Sequence, residues 1–390
     1  MSTLDSVVIV GASLAGHATA RALRQQGFDG RISLIGDEPD RPYDRPPLSK
    51  EYLAGTLDED QLGLEAPAEA LDAEWILGVR ATALDPGTRT VTLADGRMIS
   101  GSAVVIATGS HARRLPIHLP GVHTLRTIAD ARTLRSELLP GARLVVVGAG
   151  FVGAEVAATA QARGLDVTVV EAAPSPLFRQ LGAQLGPAVA GLHGTNGVRL
   201  EVGTGVTGLV GRDHVEGVAL ADGRVLPADV VVVGIGAAPA VDWLATSGLD
   251  LSNGVIADSR GATAAPGIWA AGDVSAWFDP AIGAPHRVEH WTDSRERPAH
   301  LVRALLNGPD HERPALRAPY FWSDQYGVRI QFAGHRRDTD ELVIEDGTAE
   351  DANLLATWRR DGAVVAVLGL NQVRAFTKYR KALGRIPVPA

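Results

Sequence analysis

The 390-residue chain contains no cysteine. Disulfide bonds, thiolate catalysis, zinc–thiolate sites and protein-ligated iron–sulfur clusters all require cysteine, so the sequence excludes them. No other metal site is predicted. Lysine is scarce as well, because Lys50, Lys378 and Lys381 are the only lysines beside many arginines. A lysine inside a motif, as Lys50 is, is therefore a candidate functional residue.

The chain also lacks an excess of positive charge and a long apolar run. Its formal net charge is −8, whereas nucleic acids select basic surfaces, so no nucleic-acid partner is expected. No run of about 18 apolar residues occurs, so neither a transmembrane helix nor a membrane partner is predicted. The N-terminus has no basic segment or cleavage site of a secretory signal. We expect a cytoplasmic protein of two or three domains.

The first glycine-rich motif is VVIVGASLAG, residues 7–16. An apolar strand leads into the loop, a helix is predicted over 16–26, and a second strand over 31–35 ends shortly before an acid. In dinucleotide-binding folds the helix N-terminus holds the pyrophosphate and the acid accepts hydrogen bonds from the ribose. Serine replaces the middle glycine, and it is small enough to preserve the loop. The candidate contacts are Gly11, Ser13, Leu14, Ala15, Gly16 and Asp37.

The second motif, LVVVGAGFVGAE, occupies residues 144–155. It repeats the same order, with a helix predicted over 154–163 and a strand over 166–170 that ends at an acid. One such motif is a weak signal, but two complete units predict two bound dinucleotides. An acid at Glu171 would repel a 2′-phosphate, and Arg179 is the first basic residue after it, so NADH is expected over NADPH. The candidate contacts are Gly148, Gly150, Val152, Gly153, Glu155, Glu171, Arg179 and Gly236.

Three further apolar runs end in glycine turns: AVVIATGS (103–110), DVVVVGIGAAP (229–239) and GIWAAGDV (267–274). Ligands of open α/β sheets bind at the carboxyl ends of the strands. Gly272 and Asp273 lie at such an end, before a predicted helix, and are therefore candidate ligand contacts. The predicted fold class is α/β, with two Rossmann-like domains.

These motifs resemble those of the two-dinucleotide flavoprotein reductases of the glutathione-reductase fold class. The segments PYDRPPLSKEYLAG (42–55), VEHWTD (288–293) and PYFWSDQYG (319–327) narrow the resemblance to the NADH-dependent ferredoxin reductases that serve oxygenases. The resemblance implies FAD on the first loop and NAD(H) on the second. It implies an FAD domain over 1–112 and 242–316, an NAD domain inserted over 113–241, and a smaller α+β C-terminal domain over 317–390.

The resemblance also implies roles for individual residues. Lys50 would lie beside the reactive edge of the flavin and pair with Glu155 near the nicotinamide. Trp322 would lie where electrons leave towards the partner. The ordinary alternatives are a surface lysine opening a helix, an acid favoured by the helix dipole, and a core tryptophan. Further FAD contacts are expected at Arg45, Ala81, Arg126 and Trp291, although Arg126 could equally be a solvated charge at a helix start.

The resemblance implies a reductase that passes single electrons from NADH to a [2Fe–2S] ferredoxin, and a monomer is favoured over a dimer. Disulfide-reducing relatives need redox cysteines that this chain lacks. An NADH oxidase or quinone reductase stays open, as does a non-enzymatic signalling flavoprotein on the same fold. The sequence does not identify the ferredoxin-docking patch.

Overall fold

The computed structural model describes residues 4–66, 69–308 and 317–383. The described residues form seven α-helices. They are α1 (Leu14–Gln25), α2 (Glu51–Ala54), α3 (Ile128–Glu137), α4 (Phe151–Ala162), α5 (Phe178–Thr195), α6 (Trp291–Asn307) and α7 (Val373–Leu383), with 3₁₀ turns at Pro46–Ser49, Glu59–Leu62, Asp242–Leu244 and Gly272–Val274. Of these helices, α1 and α4 directly follow the strands that lead into the two glycine loops. None of these helices is long and apolar enough to cross a membrane.

The first sheet has five parallel strands, and four of them are almost fully buried. Their near-continuous apolar sequences are typical of strands that are covered on both faces. One face packs against α1 and α6, and the other packs against residues around Leu84, Val91 and Leu244. In spatial order the strands are Ile268–Ala270, Ala103–Ile106, Ser6–Val10, Arg31–Ile35 and Ala73–Ile76.

The second sheet repeats this architecture with five more parallel strands. From Leu144 to Val147 its central strand is buried between two apolar clusters, one of which includes α3 and α4. In spatial order the strands are Arg199–Val202, Asp166–Glu171, Arg143–Val147, Val230–Val233 and Val122–His123.

Small sheets extend or connect these two units. The pair Ser110–Ala112 and Ala237–Pro239 is antiparallel and joins the two segments that link the units. The three-stranded sheets are Ala81–Asp85, Thr90–Leu93 and Met98–Ser100; Val206–Gly211, Val215–Leu220 and Val225–Pro227; and Val255–Ala257, Ser275–Asp279 and Ala284–Arg287.

The C-terminal part is an antiparallel sheet of five strands. One face packs against α5 and the other against α7. Buried and half-buried residues alternate along the edge strand Tyr320–Gln325, because one of its faces is covered more fully than the other. In spatial order the strands are Tyr320–Gln325, Val328–Gly334, Ala363–Leu370, Asn353–Arg360 and Glu341–Thr348.

The predicted α/β class is therefore confirmed, with a C-terminal antiparallel sheet. The helix predicted over 154–163 begins three residues earlier, at Phe151, and therefore includes Gly153, the last glycine of the motif. The helix predicted after GIWAAGDV is wrong. A single 3₁₀ turn over Gly272–Val274 leads directly into the strand Ser275–Asp279. The expected domain border at 316 lies outside the described residues.

Candidate functional site

The first glycine loop connects the central strand of the first sheet to α1. Gly11 has φ +114°, and a Cβ atom there would lie 2.1 Å from the Ala107 carbonyl oxygen. A Cβ atom at Gly16 would lie 1.8 Å from the Gly11 carbonyl oxygen. Both positions therefore require glycine, and the loop brings the N-terminus of α1 close to the strand. The first-turn amides of α1, from Leu14, Ala15 and Gly16, have no acceptor within the helix and form an anion-binding end.

Ser13, which replaces the middle glycine of the motif, contacts a charged side chain. Arg45 donates from Nε to the Ser13 hydroxyl (3.2 Å), from Nη1 to the Arg126 carbonyl oxygen (2.5 Å) and from Nη2 to Glu38 (2.5 Å). The Arg45 guanidinium thus connects the first glycine loop, Glu38 after the second strand, and the segment that leads into α3.

Asp37 and Ala81 lie farther along the same edge. The Asp37 carboxylate is exposed and forms a long ion pair with Arg80 (3.9 Å), so it is accessible to a ribose hydroxyl. Ala81 is buried at the first position of its strand and pairs with Leu93. Neither residue contacts the other sequence-predicted groups in the described part of the chain.

Asp273 is held in a partly buried network at the carboxyl end of the strand Ile268–Ala270. Arg126 donates to Asp273 from Nη2 (2.8 Å), Ser110 donates to the same oxygen (3.2 Å) and Ser294 donates to the other (3.1 Å). Burial alone would raise the pKa of Asp273, but these donors outweigh it and hold the pKa below its usual value. Arg126 is therefore a paired residue rather than a solvated charge.

Gly272 and His290 complete this side of the site. Gly272 has φ +75°, and a Cβ atom there would lie 2.7 Å from the Ala15 side chain, so the turn passes directly over the start of α1. His290 precedes α6, and its Nδ1 is buried without a hydrogen-bond partner. Burial lowers the pKa of His290 to about 4, so the imidazole is neutral.

The second glycine loop has the same close packing. Gly148 has φ +102°, and a Cβ atom at Gly153 would lie 2.1 Å from the Gly148 carbonyl oxygen. At Gly150, in contrast, the nearest atom to an added Cβ would be 3.9 Å away, so space is open beside that backbone. Val152, in the first turn of α4, is 40% exposed.

Glu171 is attached to the second loop through its carboxylate. One oxygen accepts from the Ala149 amide (2.8 Å) and the other from the Ala173 amide (2.8 Å). A carboxylate has about four acceptor positions, so two are still available for ribose hydroxyls. Arg179 is exposed near the start of α5, and Gly236, with φ +98°, lies in the segment that returns to the first unit.

Lys50 and Glu155 meet between the two glycine-loop units. Lys50 Nζ lies 2.7 Å from Glu155 Oε2, and the side chains are 13% and 7% exposed. The Ser49 hydroxyl donates to the same oxygen (2.5 Å), and the Ser323 hydroxyl donates to Oε1 (2.8 Å). We call the space bounded by Lys50, Glu155 and the two glycine loops the cleft.

Two polypeptide segments, 49–50 and the strand that carries Ser323, thus supply the three groups around the carboxylate of Glu155. A second contact between Thr159 of α4 and the Ser49 carbonyl oxygen (2.8 Å) fixes the segment that carries Lys50 to the segment that carries Glu155. Gln325 donates to the Ser323 hydroxyl (3.1 Å), while its own Oε1 is buried without a partner. The pair is therefore preorganised by hydrogen bonds from the C-terminal sheet.

Aromatic residues extend from this region to the surface. The Trp291 indole donates to Asp44 (2.6 Å), and its ring meets Trp322 edge-on with centroids 5.8 Å apart. Trp322 stacks on Tyr320 at 5.9 Å, and the Arg380 guanidinium of α7 lies 3.7 Å from the Tyr320 ring centre. Trp322 is only partly buried, so it is not an ordinary core residue.

The residues fit the two expected cofactors. Four features are typical of sites that a bound ligand completes. They are the open backbone at Gly150, the helix N-termini at the two glycine loops, the ionised Asp273 and the buried His290 nitrogen without a partner. Among the sequence-predicted residues, the structure brings Arg126 to Asp273, Lys50 to Glu155 and Trp291 to Trp322. Asp37, Ala81 and Arg179 lie apart from these pairs.

Sequence reasoning missed the serines. Ser49, Ser110, Ser294 and Ser323 all donate to one of the two central carboxylates. Three of them lie within the motifs LSK, ATGS and FWSDQ, and Ser294 directly follows VEHWTD, which was a usable signal. A hydroxyl has no spacing rule of its own, so its partner is visible only in three dimensions.

The fold and the cleft together define an oxidoreductase with two dinucleotide-binding units. A family model described as pyridine nucleotide-disulphide oxidoreductase matches residues 5–305, and one described as reductase C-terminal matches 320–388. The chain belongs to the pyridine nucleotide-disulphide oxidoreductase family. It cannot form the disulfide of the family's name, because it has no cysteine.

Similar proteins narrow the relationship. The ferredoxin–NAD(+) reductase subunit of a benzene 1,2-dioxygenase system from Pseudomonas putida is 40% identical over 95% of this chain and 90% of its own. The corresponding component of a biphenyl dioxygenase system from Paraburkholderia xenovorans is 37% identical over 99% and 95%. The solved covalent complex of putidaredoxin reductase with putidaredoxin matches with a TM-score of 0.92 and 31% identity, over 97% and 93%.

Proposed function

We propose that the protein is an FAD-dependent reductase that takes a hydride from NADH and passes single electrons to a [2Fe–2S] ferredoxin, which in turn serves an oxygenase or cytochrome P450. The observation that carries this proposal is the buried Lys50–Glu155 pair between two glycine loops. The names of the similar reductases support the same reaction. The absence of cysteine favours direct electron delivery over a disulfide relay.

A bound flavin would accept electrons as a pair and release them singly. The chain's own residues bind and orient. The first-turn amides of α1 and the open backbone at Gly150 hold the two pyrophosphates, and Asp37 and Glu171 accept hydrogen bonds from the riboses. Asp273, ionised and held by Arg126, accepts from ligand hydroxyls at the strand ends. Lys50 would supply positive charge beside the flavin, which becomes more negative on reduction, and Glu155 keeps the Lys50 ammonium in place.

Electrons leave, in this proposal, past Trp291, Trp322 and Tyr320. The aromatic rings connect the cleft side of α6 with α7, which carries Arg374, Lys378, Arg380 and Lys381. Two of the three lysines of the chain thus lie on one exposed helix. A local basic surface on a chain of net charge −8 would steer an acidic ferredoxin to this end of the molecule.

The proposed domain organisation is an FAD domain over 1–112 and 242–316, an NAD domain over 113–241 and a C-terminal domain over 317–390. The paired crossing strands Ser110–Ala112 and Ala237–Pro239 support an insertion at this point. The functional unit in this proposal is a monomer, and the three groups described around the Glu155 carboxylate belong to the same chain as Glu155. We place the protein in the cytoplasm.

The test is anaerobic reduction of the purified yellow protein by NADH, followed by electron transfer to an acidic [2Fe–2S] ferredoxin or to a quinone. Flavin bleaching and fast, salt-sensitive ferredoxin reduction are expected. Lys378→Glu should slow only the ferredoxin step, whereas Arg212→Glu, a charge reversal in a distant loop, should not. Fast quinone and slow ferredoxin reduction would assign a quinone reductase instead. No bleaching by NADH would indicate a non-enzymatic flavoprotein.

A further inference from the structure

A cluster of metal-ligating side chains lies outside the cleft. Asp279, His286 and His335 each offer one ligand atom, and these three atoms all lie within 4.8 Å of one another. Asp279 ends the strand Ser275–Asp279, and His286 lies on the neighbouring strand of the same hairpin. His335 follows the strand Val328–Gly334 of the C-terminal sheet. The cluster therefore joins two parts of the chain that are distant in sequence.

The separations match those within a metal coordination sphere. Asp279 Oδ2 is 3.1 Å from His335 Nε2 and 3.9 Å from His286 Nδ1. A tetrahedral zinc ion with ligand bonds of about 2.1 Å holds its ligand atoms roughly 3.4 Å apart. The two distances lie on either side of that value, so a small rotation of the imidazoles would complete three corners of a tetrahedron.

His286 is the residue that a simple ion pair leaves unexplained. Asp279 and His335 satisfy each other, and the other Asp279 oxygen accepts from the Ala281 amide (2.9 Å). His286 Nδ1, however, is buried without a hydrogen-bond partner and faces the same carboxylate. Buried polar nitrogens without partners are rare in proteins and often indicate an ion or a water. The backbone holds His335 in position, because its amide donates to the Val365 carbonyl oxygen (3.0 Å).

We propose that Asp279, His286 and His335 bind one zinc-class divalent transition-metal ion, with water at the fourth position. Two imidazole nitrogens and one carboxylate oxygen form a donor set that suits such ions and disfavours Mg²⁺ and Ca²⁺, which prefer oxygen. The ion bridges the 275–287 hairpin and the C-terminal sheet. Its role is structural, because no residue of the cleft contacts it, and binding to the folded state alone stabilises that state.

The test uses the FAD-loaded protein, treated with a chelator and desalted. Equilibrium dialysis with ZnCl₂ is expected to give one zinc per chain, and the thermal unfolding midpoint should rise on zinc addition. His286→Gln breaks no hydrogen bond of the metal-free protein, so it should fold, yet it should weaken zinc binding at least tenfold. His335→Gln should do the same, and His118→Gln, at an exposed position, should match the unaltered protein.

Three outcomes would overturn the proposal. The first is zinc binding of equal strength in the unaltered protein and His286→Gln. The second is MgCl₂ binding as tight as ZnCl₂ binding. The third is a stability loss in metal-free His335→Gln without any zinc response of the unaltered protein, which would reduce the cluster to an Asp279–His335 hydrogen bond.

Discussion

Ser323 donates a hydrogen bond to Oε1 of Glu155 across 2.8 Å, although 168 residues separate them in the chain. The serine belongs to the edge strand of the C-terminal sheet, and the acid belongs to the first turns of α4. The C-terminal sheet therefore takes part in organising the cleft, in addition to carrying the proposed electron exit.

Replacing Ser323 should weaken that organisation without removing a charge. Hydrogen bonds to charged groups contribute on the order of 1.5–3 kcal/mol, so Ser323→Ala should slow flavin reduction by NADH roughly tenfold or more. Stopped-flow bleaching at saturating NADH measures the effect. Ser323→Thr, which keeps the hydroxyl, should recover much of the rate, and Ser136→Ala on the exposed face of α3 should have none of the effect. An unchanged rate and pH profile in Ser323→Ala would make the contact merely structural.

Lys50 and Glu155 should act as one unit. The pair is buried, so removing one partner leaves the other charge uncompensated. Lys50→Met and Glu155→Gln should each slow flavin reduction at least about tenfold, which corresponds to about 1.4 kcal/mol. The double variant should lose less than the sum of the two logarithmic losses, because the residues share one interaction. FAD content should change little in Glu155→Gln. Additive losses would show two independent residues.

Glu171 should select NADH over NADPH. Its carboxylate lies against the second glycine loop, where a 2′-phosphate would meet a like charge. We expect kcat/KM to favour NADH by at least about tenfold, or about 1.4 kcal/mol. Glu171→Ala should narrow the ratio. Because this change also removes the contacts to the Ala149 and Ala173 amides, the ratio of the two coenzymes, and not the absolute rate, is the measurement. Equal values in the unaltered protein would contradict the assignment.

Arg126 should be needed for FAD retention. It compensates the charge of Asp273 in a partly buried pair, so its removal should cost less than the roughly 3–5 kcal/mol typical of a fully buried pair. Arg126→Leu should lose FAD on gel filtration and unfold at a lower temperature, while Arg126→Lys should retain more of both. The folded-state pKa of Asp273 is lowered, so its stabilising contribution is present above the unfolded-state pKa and is lost as pH falls through the folded-state value.

FAD release on denaturation, with none left in the precipitate, would confirm non-covalent binding.

His193 should make stability fall in mild acid. Burial lowers its pKa from 6.5 to about 4, and its Nδ1 is paired with the Tyr326 hydroxyl at 2.8 Å. Between these two values the unfolded chain binds more protons than the folded one, so the free energy of unfolding decreases as pH falls from 6.5 to 4. Through this group, the free energy of unfolding should fall by on the order of 3 kcal/mol between pH 6.5 and pH 4, and above pH 6.5 none of it is lost.

His193→Gln should therefore flatten the dependence of the unfolding midpoint on pH between 6.5 and 4. Unfolding scans at several pH values measure it, and His118→Gln is the control at an exposed position. Parallel curves for the unaltered protein and His193→Gln would show that the imidazole is accessible to protons in the folded state.

Local pattern was enough to predict much of the fold. Two parallel sheets are predicted by the glycine spacing of both loops, the apolar strands before them and the acids after the second strands. Each of these signals spans fewer than about 30 residues, so each is visible in the local sequence. The helix expected after Asp273 was wrong for the same reason. A glycine turn at a strand end is compatible with either a helix or a strand, and only the hairpin at Ser275–Arg287 decides between them.

The sequence by itself determined the α/β class, the absence of thiol chemistry and the positions of both glycine loops. Only the tertiary structure decided which side chains meet. Glu155 is contacted by the adjacent Ser49 and Lys50 and by Ser323, which come from two segments distant from it in sequence. Asp279, His286 and His335 converge across a boundary between sheets. Contacts of this kind depend on how packed layers are oriented, and that orientation follows from burial summed over the whole core rather than from any local run of residues.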